Sequence, residues 1–583
     1  MSELNLPLYD GSCGKIYTAT QQPTTSHTES TSPSNHRTRI RLEKLPPEVG
    51  RLIFSHLRDV DTRAAHLCRL VCHLLAAWAT PALYHSLQVT AKLLDLFDQH
   101  SSPAIVPIIS THTRHLIIHS NLERELLQRL LSIVRGLASL RWCYVSDSRD
   151  HGDLWPPPQV LQYVQPGTAL HLDGLPLRTT KETISIEKVE TIPAKSLETL
   201  LITHSLRPLA TCRALLKRML LRATNLQTFD YQVYGCSAAF EFCGEEKLPP
   251  IKNLLLGSYS WNHAAEDVQR HWEFSRIETL RLTSVPIRAF LTSVSMDDFA
   301  NLHTLQVEDR DVYLDKAEAD KITDILARFI GDHIRGLTHL DITCNVRRLP
   351  VEAITRHRHS LQYLRIRDNI GFEEDGDMIC PTLSTSDIAV LADGLRHLQM
   401  LELDVDTAMC DPVEFIQAIA GFRKLRELTV HTRSVATSTT RTSLSHHLPA
   451  HPDDQSRGDG EATAAPHDSA LYTAVGLLRS ILDRQNKIAG LEQGELPGPL
   501  LKRVTINMRG WRPVILRRVA AARKRRNRHG IYAERCFVFE RQDFQTYFSV
   551  TEFMAKEPSV AAVRPPVASL DHLLEATMMT GVC

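Results

Sequence analysis

A short pattern of apolar positions recurs through the middle of the chain. It consists of an apolar residue, two residues of any kind, an apolar residue, one residue of any kind and a further apolar residue. Nine copies begin at Leu197, Leu226, Ile251, Ile277, Leu302, Leu337, Leu361, Leu398 and Leu425. Alternation of apolar and polar positions is typical of a β-strand with one buried face. Successive copies start 24 to 37 residues apart, so they predict one short strand in each unit of a repeat array.

Segments with apolar residues three and four positions apart separate the predicted strands. In residues 316–334 five apolar residues fall on one helical face: Ile322, Ile325, Leu326, Phe329 and Ile330. Before another such segment, Asp411 can cap the helix, Pro412 suits its first turn and Glu414 can complete a capping box. Alternating strands and helices predict an α/β fold, because stacked strand-helix units bury a shared core and align their strands in a parallel sheet.

The repeats and their surroundings predict the division of the chain into domains. Weaker copies of the pattern start at Thr113, Leu137 and Leu501, so the array is predicted to begin near residue 110. Residues 18–38 and 434–470 are rich in Ser, Thr and Pro and hold little that could form a core. We therefore predict a disordered leader (1–38), a helical module (39–89), a leucine-rich-repeat-like α/β solenoid with irregular repeats (90–433), a disordered insertion (434–470), and a last repeat with a basic helix and tail (471–583).

Residues 42–89 have helical periodicity and are unusually apolar. Val49, Leu52, Ile53, His56 and Leu57 share one predicted face, and a second face is formed by Leu67, Leu70, Val71 and Leu74. About 45 residues are too few for a comfortable core, so such a module usually completes its burial against a partner or a neighbouring domain. The segment is therefore predicted to be a docking element.

This segment resembles an F-box. The residues that carry the resemblance are the L-P-x-E opening at 45–48, the V-C pair at 71–72 and the ending A-T-P-A-L-Y-H-S-L at 79–87, which resembles versions common in filamentous fungi. The tryptophan often found three residues after the family's cysteine is Leu75 here, with Trp78 nearby. An F-box followed by leucine-rich repeats is itself a familiar architecture of the family.

The resemblance implies an adaptor protein that carries no catalytic residue and no cofactor. The helices would bind the Skp adaptor, and through it a cullin scaffold and a RING subunit, in an SCF-type ubiquitin ligase. Five residues match the motif's contact face: Leu45, Pro46, Val49, Ile53 and Leu57. The alternative is that apolar positions such as Leu52, Leu67, Leu70 and Val71 only hold the module together.

The polar residues inside each copy of the pattern would stand on the exposed, concave face of a leucine-rich-repeat sheet. Six of them are our candidates for binding an unknown protein substrate: Arg281, Asp341, Tyr363, Arg365, Arg367 and Glu402. The three arginines could hold a phosphorylated or acidic peptide through bidentate hydrogen bonds. The alternative is that each is a solvated charge on an exposed sheet.

Charge and hydropathy limit the possible partners. The 67 Lys and Arg residues equal the 67 Asp and Glu residues, so no global field draws the molecule to nucleic acid or to an anionic membrane. The absence of a long uncharged apolar stretch predicts no membrane association, and a protein of the cytoplasm, the nucleus or both. Residues 512–529 hold eight Arg and Lys residues and no acidic residue; they fit a helix end, a nuclear localisation signal or a nucleic-acid contact, the last being the least expected.

Two functions remain after the sequence is read. We find no phosphate-binding loop, nucleophile elbow, dinucleotide fingerprint or zinc-protease motif. The first hypothesis is a substrate receptor for ubiquitin ligation, and the second is a repeat scaffold or nucleic-acid-associated protein whose N-terminal helices only cap the array. The apolar face around Val49, Ile53 and Leu57 discriminates between them, because the repeats bury it in a cap and leave it open in a docking element.

Overall fold

The computed structural model describes residues 45–98, 105–145, 155–177, 184–204, 210–233, 239–308, 316–368, 381–406, 409–432, 474–484 without 475 and 483, 501–508, 535–541 and 549–554. The predicted leader, the predicted insertion at 434–470 and the basic segment at 512–529 lie outside these residues. The chain falls into two compact units that divide near residue 370. Each unit is described by itself.

The first unit contains a sheet in which every strand pairs in parallel with the next strand of the chain. Its described strands are β1 (Ser86–Gln88), β2 (His115–His119), β3 (Ser139–Cys143), β4 (Ala169–Leu175), β5 (Leu197–His204), β6 (Thr228–Val233), β7 (Asn253–Gly257), β8 (Thr279–Thr283), β9 (Thr304–Glu308), β10 (His339–Cys344) and β11 (Tyr363–Asp368). A parallel pair of consecutive strands needs a connection that crosses one face of the sheet, and helices provide it here except between β6 and β7, where the described residues hold no helix.

The helices of the first unit lie before and between these strands. They are α1 (Pro47–Val60), α2 (Thr62–Cys68), α3 (His73–His85), α4 (Ala91–Asp98), α5 (Ile105–His112), α6 (Arg124–Ile133), α7 (Pro158–Leu161), α8 (Ile186–Thr191), α9 (Ala210–Arg222), α10 (Ala265–His271), α11 (Ile287–Ser293), α12 (Lys316–Arg328) and α13 (Val351–Thr355). The amphipathic face predicted for residues 316–334 is confirmed for four of its five residues in α12 and the π-helical turn after it, since Ile322, Leu326, Phe329 and Ile330 are buried and Ile325 is half-buried.

The second unit has both parallel and antiparallel strands. Its described strands are β12 (Met400–Val405), β13 (Glu427–Thr432), β14 (Arg503–Met508), β15 (Arg535–Glu540) and β16 (Ser549–Met554), and its helices include α14 (Thr385–Gly394) and α15 (Pro412–Ala420). Strands β12 to β14 pair in parallel, whereas β15 and β16 pair antiparallel. The predicted cap of α15 is confirmed, since Oδ1 of Asp411 accepts from the amides of Val413 and Glu414 at 2.7 and 3.3 Å.

The predicted alternation of strands and helices is confirmed, and the molecule is of mixed α/β class. All nine copies of the apolar pattern form strands, β5 to β13, and the three weaker copies form β2, β3 and β14. The predicted start of the array near residue 110 is wrong. Strand β1, which pairs with β2, already lies within the segment assigned to the helical module. A strand of three residues is too short to repeat an alternating pattern, so periodicity does not reveal it.

In the strands of the first unit the two faces differ in burial. In β8, for example, Leu280 and Leu282 are fully buried, whereas Thr279, Arg281 and Thr283 are half-buried. This alternation follows from the two-residue period of a strand, which turns successive side chains to opposite faces. We call the face that carries the half-buried side chains the open face of the sheet.

Candidate functional site

Helices α1, α2 and α3 form a small module around one buried cluster. Phe54, Trp78, Ala79 and Ala82 make up its core. Pro47 starts α1, where its missing amide hydrogen costs no helical hydrogen bond, and Oδ1 of Asp61 caps α2 by accepting from the amide of Ala64 at 2.9 Å. Helix α3 leads directly into β1, so the module is joined to the edge of the sheet.

Large apolar side chains of this module are exposed to an unusual degree. Twelve large apolar residues are exposed in the part of the chain that the structure describes, and seven of them lie in residues 49–71: Val49, Leu52, Ile53, Val60, Leu67, Leu70 and Val71. Leu52, Leu70 and Val71 are 70 to 76% exposed. Single exposed apolar side chains are ordinary, but a concentration of them marks an interaction surface.

The five residues to which the F-box resemblance assigns adaptor contact differ in their exposure. Pro46, Val49 and Ile53 are exposed, whereas Leu45 and Leu57 are half-buried and pack against the module's core. The alternative that Leu52, Leu67, Leu70 and Val71 hold the module together is wrong, since all four are exposed. Val49, Leu52 and Ile53 stand three and four residues apart on one side of the helix, and we call them the apolar face of α1.

The candidate substrate residues Asp341, Tyr363, Arg365 and Arg367 lie together on the open face of β10 and β11. Asp341 is directly opposite Arg365 in the register, and Nη1 of the arginine donates to Oδ1 of Asp341 at 2.6 Å. Tyr363 stacks on His339, with 5.8 Å between ring centroids. Arg365 is therefore already engaged by a carboxylate, and an acidic ligand would have to compete with Asp341 for it.

Glu402, the candidate in the second unit, takes part in a buried hydrogen-bonded chain. Its Oε1 lies 2.7 Å from Nε2 of His431 on the neighbouring strand. Nδ1 of the same ring lies 3.4 Å from Nδ2 of Asn507 on β14. These contacts hold Glu402 across three strands of the unit, which is a structural role for its carboxylate.

Arg281 differs from the other candidate arginines. It lies on β8, opposite Gln306 on β9, which is in turn opposite Asp341 on β10. Its Nε is buried without a hydrogen-bond partner, and no ion pair of its guanidinium is found among the described residues. The guanidinium therefore keeps hydrogen-bonding capacity that the described protein does not use.

Two carboxylates on the same face were missed by the sequence analysis. Oδ2 of Asp173, on β4, accepts from Nη1 of Arg141 at 2.9 Å, and Oδ2 of Asp230, on β6, accepts from Nε2 of Gln232 at 3.3 Å. The Oδ1 atom of each is buried without a partner. Asp230 occupies the same position of the pattern as Arg281, so the same rule would have found it. Asp173 lies on β4, a strand outside the nine copies.

Burial governs the protonation of both carboxyl groups. It raises the pKa of Asp230 to about 6, helped by the nearby Asp173 carboxylate and opposed by the hydrogen bond from Gln232 and the charge of Arg281. Burial also raises the pKa of Asp173, although Arg141 opposes this. Both groups are thus held on the open face at an electrostatic cost to the folded state.

A scan against models of protein families finds no match for this chain. A search of curated proteins likewise finds none. The geometry of the helical module and of the open face therefore carries the functional argument.

The described residues contain neither a group of His, Cys, Asp and Glu that could hold a metal ion nor a helix that is long and apolar enough to cross a membrane. Two features of the described residues invite a functional explanation: the exposed apolar side chains of the module and the unpartnered polar atoms of the sheet. Both are surfaces suited to contact with another macromolecule.

Replacing Asp230 by asparagine is expected to stabilise the protein by about 1 to 2 kcal/mol at pH 7.5 and to have almost no effect at pH 4. A pKa raised from 3.8 to about 6 means that the folded state loses stability as the pH rises through this window, by at most about 3 kcal/mol. The gain is smaller because a buried amide also needs partners. The free energy of unfolding is measured in urea at both pH values.

Asp341→Asn is the matched control for this substitution, because Asp341 stands in the same row of the sheet but is paired with Arg365. The control variant is expected to lower stability at pH 7.5, since it removes the partly buried ion pair between Arg365 and Asp341. Loss of stability in the Asp230→Asn variant at pH 7.5 would contradict the interpretation that this carboxylate is held at a cost.

Proposed function

We propose that this chain is an F-box-type substrate receptor of an SCF-type ubiquitin ligase. The helical module docks on a Skp-type adaptor, and the repeat sheet binds the protein that is to be ubiquitinated. The observation that carries the proposal is the set of exposed apolar residues in α1, in α2 and in the turn before α3, because the F-box resemblance lies in the same segment. Docking on a partner gives these side chains the burial that the module does not provide.

The same observation weighs against the alternative of a capped scaffold. If the module only closed the end of the array, the sheet or its helices would cover Val49 and Ile53. They are instead 39 and 46% exposed, although α3 and β1 connect the module to the sheet.

The regular order of strands and helices supports a leucine-rich-repeat-like solenoid as the substrate-binding part. In such a repeat the open face offers side chains from many strands to one ligand. The protein would act by proximity and without chemistry of its own, since holding a target beside a ubiquitin-charged enzyme raises its effective concentration. Such a receptor works in the cytoplasm or the nucleus and requires no cofactor.

The experiment that tests the proposal is assembly from purified components. The full chain is mixed with a Skp-type adaptor, a cullin and a RING subunit, and the mixture is separated by size-exclusion chromatography. We expect a single complex, and we expect the cullin to elute with the chain only when the adaptor is present, because the adaptor bridges them. Separate elution of chain and adaptor at micromolar concentrations would refute the ligase function.

A further inference from the structure

Unpartnered polar atoms are concentrated on the open face of β4 to β8. In the described part of the chain seven buried side-chain atoms have no hydrogen-bond partner, and four of them belong to this region: Oδ1 of Asp173, Oδ1 of Asp230, Nε of Arg281 and Oγ1 of Thr283. More than nine in ten buried polar groups in proteins are hydrogen-bonded, and each one left without a partner costs about 1 to 3 kcal/mol. These groups therefore set the face of β4 to β8 apart from the rest of the described sheet.

The register places Asp230 and Arg281 in one row across the sheet. Asp230 is opposite Leu255, which is opposite Arg281. With about 4.8 Å between neighbouring strands, the backbones of Asp230 and Arg281 lie roughly 10 Å apart. Asp173 is on β4, on the far side of β5, and its charge reaches Asp230, whose pKa it raises.

Apolar side chains lie beside the charged groups. Leu201 on β5 and Leu255 on β7 are half-buried on this face, on either side of Asp230. The face thus carries the carboxyl groups of Asp173, which pairs with Arg141, and of Asp230 at one end, and Arg281 at the other, with Leu255 between Asp230 and Arg281.

An extended polypeptide that crosses the strands has the dimensions to meet these groups. Its alternate side chains point to one side about 6.7 Å apart, so residues i and i+4 are separated by about 13 Å. A cation held between Asp173 and Asp230 would lie over β5, and Arg281 is three strands further on, about 14 Å away. Residue i+2 then lies between β6 and β7, beside both Asp230 and Leu255.

We propose that the open face of β4 to β8 binds an extended segment of a partner protein that carries a basic residue, an apolar residue two positions away and an acidic residue four positions away. The basic group lies between the carboxylates of Asp173 and Asp230, where it competes with Arg141 for Asp173, and the acidic group accepts hydrogen bonds from Arg281. The inference rests on the proposed function and deepens it by naming the class of substrate segment.

The test is a comparison of three labelled peptides binding to the full chain, measured by fluorescence anisotropy at pH 7.5. The probe is Gly-Ser-Lys-Ser-Leu-Ser-Glu-Ser-Gly, and in the other two peptides either the Glu is replaced by Lys or the Lys by Glu. We expect the probe to bind at least tenfold more tightly than either. In the Arg281→Glu variant the preference is expected to change to the peptide with two lysines.

Arg276→Glu is the matched control, because it makes the same change of charge at an exposed residue just before β8. It is expected to leave the order of the three peptides unchanged. Equal binding of the three peptides, or an unchanged order in the Arg281→Glu variant, would overturn the inference. Adaptor binding is measured on the same samples. A chain that binds the adaptor but not the probe refutes this inference alone. A chain that binds the probe but not the adaptor refutes the ligase function alone.

Discussion

Replacing Ile53 by aspartate is expected to weaken binding of the Skp-type adaptor by at least about a hundredfold while leaving the stability of the chain unchanged. Ile53 belongs to the apolar face of α1 and is 46% exposed in the free protein. In the proposed complex the partner covers its side chain, and a carboxylate at that position would lose its hydration without gaining a partner. A hundredfold loss corresponds to about 2.7 kcal/mol, within the range of central interface residues.

The chain offers a closely matched control for this substitution. Ile186, in α8 of the repeat region, is 43% exposed, so Ile186→Asp makes the same chemical change at a side chain of nearly the same exposure. Adaptor affinity is measured by calorimetry, and thermal unfolding is followed in parallel. If the Ile53→Asp variant unfolds at the wild-type temperature and binds the adaptor as tightly as the Ile186→Asp variant does, the apolar face of α1 does not belong to the adaptor interface.

The repeat strands could be predicted because the information lies in neighbouring residues. In IETLRL, from Ile277, the alternation alone separates the buried Leu280 and Leu282 from Arg281. Aligning successive copies even places Asp341 opposite Arg365. The single sequence does not say which charged side chains reach one another, because that depends on rotamers and register across several strands. Arg281 and Arg365 therefore look equivalent in sequence, although only Arg365 has a carboxylate partner among the described residues.

The helical module was harder to predict than the strands. Periodicity assigned Leu52 and Leu57 to one face, yet Leu52 is 70% exposed and Leu57 packs against the core. The side of a short helix that becomes buried is decided by the position of its neighbours, here Trp78 on α3, and not by the helix's own pattern. The sequence did contain one signal for the exposed apolar residues of the module, because a module of this size has more apolar residues than it can bury.

Replacing Gly50 by alanine is expected to destabilise the helical module by about 1 to 2 kcal/mol and thereby to weaken adaptor binding. Gly50 lies where α1 crosses α3, and a Cβ on it would overlap Cδ2, Cε2 and Cε3 of Trp78. The indole is 4% exposed and belongs to the module's buried core, so it has little room to move. The better helix propensity of alanine returns only about 1 kcal/mol, which is less than overpacking of a core commonly costs.

Gly476→Ala separates the steric effect from helix propensity, because Gly476 is also helical and no heavy atom lies within 4 Å of its added Cβ. That variant is expected to be unchanged or up to about 1 kcal/mol more stable. Tryptophan fluorescence and denaturant unfolding report on both variants. The Gly50→Ala variant should lose adaptor affinity together with stability, whereas Ile53→Asp should lose affinity alone. This difference distinguishes the residues that hold α1 against α3 from those that the module presents to its partner. Wild-type stability in the Gly50→Ala variant would show that the close packing of α1 on Trp78 does not hold the module together.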